Sequence, residues 1–425
     1  MSHTGMRYRR GLIGAVGLLV GSSVAAADPA AATVPEADSL VAALKQGTAY
    51  GQLRPRYEFV DQEGVDEEAH AFTLRTRLGY QTAGWQRFSA VLEFEDVRAF
   101  GDEKFNSTVN GHTRYPIVLD PESTEVNQAY IDYAGLAETK VRLGRQYILL
   151  DNERFVGPVG WRQNSVSMDS VSLTNTALPD TKAFYAYVDN VNRLFGEDHP
   201  TQSDWDMSSH LVNVAYSGLR FADLVGYGYF LDFEDPASEA LSTRTLGVRL
   251  DGAHALADDL KLLYTAEYAD QRDHADGRPG DADYYWLTLG VDFKGLTVKL
   301  NQERLGGDGT YSFSTPLATV HAHNGWADKF LATPVDGLVD TSLEFGGSLA
   351  GFKLAAIFHD FQSDHDNYDY GQEWNLLAVR PINKHLKVAA KYADYSGDGN
   401  ATNLARNAAL GSDVQKFWLM ADFTF

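Results

Sequence analysis

The stretch with the least alternation and the most specific set of groups able to bind an oxyanion lies between Val141 and Ser170, where the chain reads VRLGRQYILLDNERFVGPVGWRQNSVSMDS. Arg142, Arg145, Arg154 and Arg162 stand there among Asp151, Asn152, Trp161, Gln163 and Asn164. A guanidinium offers parallel N–H donors that match the two oxygens of a carboxylate, which suits recognition of acidic solutes. Gly157, Pro158 and Gly160 turn the chain, so most of these side chains belong to a loop. The same residues admit a second role, in which Asp151 pairs with Arg154 and Arg162 holds the loop against a wall. Both roles need a scaffold around the loop.

That scaffold is written as period-two alternation. TLRTRLGY sets Leu74, Thr76, Leu78 and Tyr80 against Arg75 and Arg77, and RFSAVLEFED sets Phe88, Ala90, Leu92 and Phe94 against Glu93 and Glu95. LGVRLD, LTVKLNQE, FKLAAIFHD and LKVAAKY repeat the pattern down the chain. The last nine residues, FWLMADFTF, place Phe417, Leu419, Ala421, Phe423 and Phe425 on one face and Lys416, Trp418, Met420, Asp422 and Thr424 on the other. Connections alternate as well. Short turns such as AGWQ, GLAET, KGL and INKH take turns with long acidic stretches such as GDEKFNSTVNGHTRYPIVLDPES and DQRDHADGRPGDAD. This spacing predicts about 18 antiparallel strands from near Thr48 to Phe425, joined as an up-and-down meander.

A soluble sandwich seldom runs so many consecutive hairpins, and a solenoid or propeller would show a repeated motif. A transmembrane β-barrel requires all of these features: strands of ~9–11 residues, apolar outside and polar inside, with short turns at one rim and long loops at the other. An unpaired edge is costly in lipid, so the final strand must pair with the first. The expected architecture is therefore an all-β, closed, multi-pass barrel in the outer membrane of a Gram-negative bacterium. A terminal Phe425 on an alternating strand resembles the signal read by the barrel-assembly machinery.

Ahead of the barrel, Arg7, Arg9 and Arg10, the apolar run Gly11 to Val24 and AAAD read as a secretory signal peptide over residues 1–27. Residues 28–47 form a lead-in, and 48–425 a single barrel with a constriction loop near 151–165 and a long outer loop at 306–339. The formal charge of −22 makes nucleic acid an unsuitable partner. The absence of cysteine leaves no disulfide framework. No G-x-S-x-G or H-E-x-x-H motif occurs and the histidines are scattered, so no enzyme activity and no cofactor are expected. The acidic loops read as solvated surface facing lipopolysaccharide, with loop-bound Ca²⁺ as the alternative; GGDGTYSF is a fragment of a calcium β-roll repeat.

Face assignment turns Arg54, Arg56, Arg75, Arg77, Arg142, Arg249, Lys261, Lys299, Lys353, Lys387 and Lys391 inward, with fewer acids (Glu58, Glu93, Glu95, Asp132, Glu267 and Glu303). Two arrangements fit: a basic stripe along an anion path, or pairing of Arg with Glu across neighbouring strands.

The run LGRQ…DNERFVG.VGWRQN resembles the signature of the alginate-export-domain outer-membrane proteins. The resemblance implies a monomeric barrel of eighteen strands with a constricted, arginine-rich anion pathway. It carries to Arg142, Arg145, Asp151, Asn152, Arg154, Trp161, Arg162, Gln163 and Asn164, which join Arg54, Arg56, Arg75 and Arg77 as pore candidates. The implied function is passive passage of anionic solutes, with acidic polysaccharide such as alginate or its uronate units as cargo. General uptake of small acids and a plugged barrel acting through its loops are the alternatives. HAHNGWADKF, His321 to Phe330, lies in the long outer loop and either caps the pore or decorates the surface.

Overall fold

The computed structural model describes residues 35–399 and 408–425, so the predicted signal peptide lies outside the described residues. The lead-in enters through a short helix α1 (Leu40–Lys45), whose N-cap Ser39 accepts a bond from Ala42 N–H at 3.1 Å. Eighteen strands follow: β1 (Thr48–Gln62), β2 (Ala69–Gln81), β3 (Phe88–Ala99), β4 (Ser123–Leu136), β5 (Thr139–Gln146), β6 (Ser167–Asn175), β7 (Thr181–Asn192), β8 (Asp204–Tyr216) and β9 (Ala222–Leu231). The second half holds β10 (Thr243–Ala257), β11 (Leu260–Asp273), β12 (Asp281–Phe293), β13 (Leu296–Leu305), β14 (Leu338–Leu349), β15 (Phe352–Gln362), β16 (Asp369–Pro381), β17 (Leu386–Gly397) and β18 (Val414–Thr424).

Every strand pairs antiparallel with its neighbours in sequence, and β18 pairs with β1, so the 18-stranded sheet closes. Closure follows from the chemistry of both seam strands. Phe423 lies opposite Leu53, Leu419 opposite Tyr57 and Phe417 opposite Phe59, all on the outer face. The ladder between β1 and β18 skips Arg54 and Pro55, where proline supplies no N–H. Phe425 extends the seam: its carbonyl accepts from Gly51 N–H at 3.0 Å and its own N–H donates to Gly51 O at 3.1 Å. The ring lies where a Cβ on Gly51 would meet it at 2.4 Å, so residue 51 must be glycine for the terminal ring to seat.

The alternation read from the sequence holds strand by strand. Outward Leu78, Leu92, Leu287, Leu289, Leu300 and Leu419 are exposed, while inward Arg75, Glu93, Glu267, Glu303 and Trp418 are buried. Exposed apolar side chains across a whole sheet are unsuited to water and suited to hydrocarbon. Aromatic pairs mark both rims: Phe88–Tyr133 (4.6 Å between centroids) and Phe423–Phe425 (5.9 Å) near the short turns, and Phe358–Trp374 (4.9 Å) toward the long loops. Helix α1 packs at the short-turn rim, where Ala83 N–H donates to Ala43 O at 3.1 Å. The lumen is filled in part by the long connections β5–β6 and β13–β14, which fold inward.

Candidate functional site: two loops latched inside the barrel

The β5–β6 loop, residues 147–166, is held by the inner wall of β1 to β3. Arg54 donates through Nη1 to Gly160 O at 2.9 Å and through Nε to Asp422 at 2.9 Å. Arg56 donates to Trp161 O at 2.6 Å and pairs with Asp120. Arg75 donates to the carbonyls of Arg162 (3.2 Å) and Gln163 (3.4 Å) and to Gln52 Oε1 (2.8 Å). Arg77 bonds Glu95 at 2.5 Å and the Ser165 hydroxyl. A loop inside a barrel presents carbonyls that no ladder satisfies, and inward guanidinium groups on adjacent strands are spaced to receive them.

The loop's own side chains complete the attachment. Gln163 Nε2 donates to Arg54 O (3.1 Å) and Thr73 Oγ1 (2.9 Å), and Asn164 Nδ2 donates to Pro121 O at 2.9 Å. At its other end the loop crosses toward the opposite wall. Phe155 sits among Tyr227, Tyr229, Tyr284 and Phe313 at centroid distances of 5.2 to 5.9 Å. Arg154 pairs with Glu303 of β13 and donates to Asn324 Oδ1 (3.1 Å) and Thr315 Oγ1 (3.2 Å).

The β13–β14 loop, residues 306–337, folds in beside it. Glu373 of β16 accepts the N–H groups of Trp326 (2.5 Å) and Ala327 (2.9 Å). Phe330 packs on Phe361 at 4.6 Å, and Lys329 donates to Ser412 O at 2.8 Å. The two loops then lock to each other. Gly157 N–H donates to Leu317 O (2.9 Å), Thr319 N–H to Glu153 O (3.0 Å), and Arg162 to Asp328 Oδ2 (2.8 Å).

At their junction Trp161 stacks flat on His321, centroids 4.8 Å apart and planes 7° apart. His321 Nδ1 bonds Asp328 Oδ1 at 2.5 Å, while its Nε2 lies 2.6 Å from Lys391 Nζ. An ammonium has only donors, so Nε2 accepts and Nδ1–H donates; the ring is neutral. The Lys391 ammonium lies over Trp326 (3.8 Å), Trp161 (4.0 Å) and Trp418 (5.4 Å), an aromatic cage around a side chain that is 2% exposed. Asp328 also takes Arg162 and, at 2.7 Å, Lys416.

Of the two arrangements foreseen for the inward charges, pairing across neighbouring strands occurs for four of them, while three others hold the loop. Arg77, Arg142, Arg249 and Lys299 lie directly opposite Glu95, Asp132, Glu267 and Glu344 on neighbouring strands and pair with them. Arg145 forms a two-pronged pair with Asp169 at 2.9 and 3.0 Å and stays partly exposed. Arg54, Arg56 and Arg75 are at most 1% exposed and hold the loop. The foreseen Asp151–Arg154 pair does not form. Asp151 accepts from Asn213 of β8 at 2.7 Å and Arg154 turns to Glu303, while Asn152 Oδ1 accepts from Arg154 N–H at 3.3 Å. Arg162 does hold the loop to the wall, through Glu58 of β1 at 3.1 Å. In GGDGTYSF the Asp308 carboxylate accepts from Thr310 N–H and Tyr311 N–H, each at 2.7 Å, within its own turn. Among the described residues no group of three or more His, Asp or Glu is arranged to hold a metal ion.

Acid should loosen the junction. Burial keeps His321 well below its ordinary pKa despite Asp328, with Lys391 and Arg162 adding to the depression. Burial pushes Asp328 upward, but His321, Lys416 and Arg162 outweigh it and hold the carboxyl well below its usual range. Both groups have folded values below unfolded ones, so the latch is at full strength above about pH 6.5 and weakens as pH falls. Channel recordings from pH 8 downward should show conductance rising only on the acid side of the ordinary imidazole range. His321→Gln should shift that rise; identical pH profiles in wild type and variant would exclude a neutral imidazole as the holding element.

A family model described as alginate export matches residues 48–301. No curated protein matches. Among solved structures the barrel is similar to OccAB4 of Acinetobacter baumannii, with 13% identity, 89% of this chain and 98% of that one covered, and a TM-score of 0.67. OccAB3 of the same organism gives 13%, 90%, 99% and 0.68, and OccD3 (OpdP) of Pseudomonas aeruginosa 14%, 90%, 92% and 0.65.

Proposed function

This chain belongs to the alginate-export family, and from that premise we propose that it is a passive channel for anionic solutes, with uronates or their polymer as the cargo class. The coarser statement stands on its own: it is a porin-like, multi-pass barrel of the Gram-negative outer membrane. One observation supports the anionic reading. Arg75 and Lys391 are buried cations whose bonds go to neutral acceptors, to Gln52 and backbone carbonyls in one case and to His321 in the other. Neither forms an ion pair among the described residues. No carboxylate among the described residues meets either side chain at contact distance, an arrangement that favours entry of anions.

A unit charge ~10 Å from an ion path, at an effective dielectric of ~20, is worth about 1.5 kcal/mol, roughly tenfold in relative permeation. Recordings of the refolded protein under a KCl gradient should give an anion-selective reversal potential. In Arg75→Gln and Lys391→Gln the chloride-to-potassium ratio should fall by up to that factor. Cation selectivity, or no change in either variant, would overturn the proposal. The interlocked loops favour a second reading of cargo size, in which small acids rather than polymer pass while the latch is closed. Competition of current by galacturonate monomer and by longer uronate oligomers separates the two. In this reading the chain acts as a monomer, and Phe425 presents the assembly signal.

A further inference from the structure

The outer face carries a feature that channel function does not use. Across β14 to β18 the lipid-facing side chains form transverse rows set by strand register. One row places Ala378 beside Leu354 and Ala390, with Gly347 beyond Leu354. The row toward the long-loop rim carries rings at its ends, Phe345 on one side and Tyr392 and Phe417 on the other, with Ala356 and Leu376 between them. Small residues bounded by rings leave a groove of about 640 Å³ in the sheet surface. One row nearer the short turns, on the same face, stands Arg380 of β16, exposed and two residues beyond Ala378. Its guanidinium lies 4.9 Å from the Phe352 ring centre, and among the described residues it forms no ion pair. Lys384 in the adjoining turn is exposed as well.

An arginine facing lipid is tolerated only near the interface, where it reaches the headgroups. The short-turn rim is the periplasmic one in barrels of this type, so the groove opens in the periplasmic leaflet with a cation at its headgroup end. We propose that this groove is a binding site for one phospholipid with an anionic headgroup. An acyl chain lies over Gly347, Ala378 and Ala390, and Arg380 holds the phosphate with the two-donor geometry of a guanidinium. Charge complementarity selects this occupant over a second copy of the chain, whose identical face would set Arg380 and Lys384 against like charge.

Native mass spectrometry of the full mature protein in mild detergent, titrated with phosphatidylglycerol or phosphatidylcholine, tests this. One phosphatidylglycerol should be retained at concentrations where phosphatidylcholine is at least fivefold less occupied. Arg380→Gln should cut phosphatidylglycerol occupancy at least fivefold, and Ala390→Phe, which fills the groove, should do the same. Ala266→Phe, on the lipid face of β11, should leave it unchanged. Heat-modifiable gel mobility reports folding of each variant, with Ala378→Leu as replacement if Ala390→Phe fails to fold. Equal occupancy by both lipids, retention that ignores both groove variants, or dimers in place of lipid adducts would each overturn the proposal.

Discussion

Replacing Asp328 by alanine should raise single-channel conductance several-fold, because this carboxylate joins one loop to the other and both to the wall. It receives His321 at 2.5 Å, Lys416 at 2.7 Å and Arg162 at 2.8 Å. Arg162 keeps Glu58 when Asp328 is gone, but Lys416, 5% exposed, has no other ion pair among the described residues. Leaving a buried cation without its partner typically costs about 3–5 kcal/mol. The local fold can avoid that cost by releasing residues 320–330 and letting water in. The backbone adds to the effect, since Asp328 sits at φ +63, a region that Asp and Asn tolerate better than Ala. Asp328→Asn keeps the conformation and one acceptor while losing the charge, so its conductance should fall between wild type and Asp328→Ala. Wild-type conductance in the alanine variant would show that the ion path avoids the loop junction.

How much of this was legible in the sequence divides along a physical line. Strand number, face assignment and closure were readable because lipid outside and a polar lumen inside impose strict parity on every strand. Phe417 to Phe425 display it without a break. Parity also sends Arg54, Arg56 and Arg75 inward, but it is silent on what they touch. Their acceptors are carbonyls more than a hundred positions away for Arg54 and Arg56, on a loop with no period. The Asp151–Arg154 pairing rested on closeness in sequence. Positive φ at Asp151 (53) and Glu153 (63) turns the chain between them and separates the side chains. HAHNGWADKF offered the hardest case. Its polar and aromatic residues fit a surface loop equally well until Glu373, Lys391 and Trp418, all on other strands, supply its partners. Asp120 gave no signal, sitting in an acidic stretch that resembles plain surface.

The pair of Arg154 with Glu303 provides the second large effect, and here the double replacement should recover most of what the single one loses. Arg154 is 1% exposed and Glu303 5%. Glu303 Oε2 accepts from Asn324 Nδ2 at 2.6 Å, so this carboxylate ties both loops to β13. Glu303→Ala leaves the guanidinium with two neutral acceptors, Asn324 and Thr315, in a site lined by Tyr284 and Phe155. A loss of about 3–5 kcal/mol is expected, read as a lower urea midpoint at unchanged slope. Arg154→Met combined with Glu303→Leu removes both charges and fills similar volume, which restores stability to within about 1 kcal/mol of wild type or exceeds it. The same double variant should keep its loops folded yet shift selectivity little, because a paired arginine contributes almost no net field to the lumen. If Glu303→Ala instead costs under about 1 kcal/mol, water already reaches Arg154. The aromatic cluster around Phe155 would then be one wall of the conducting path rather than its seal.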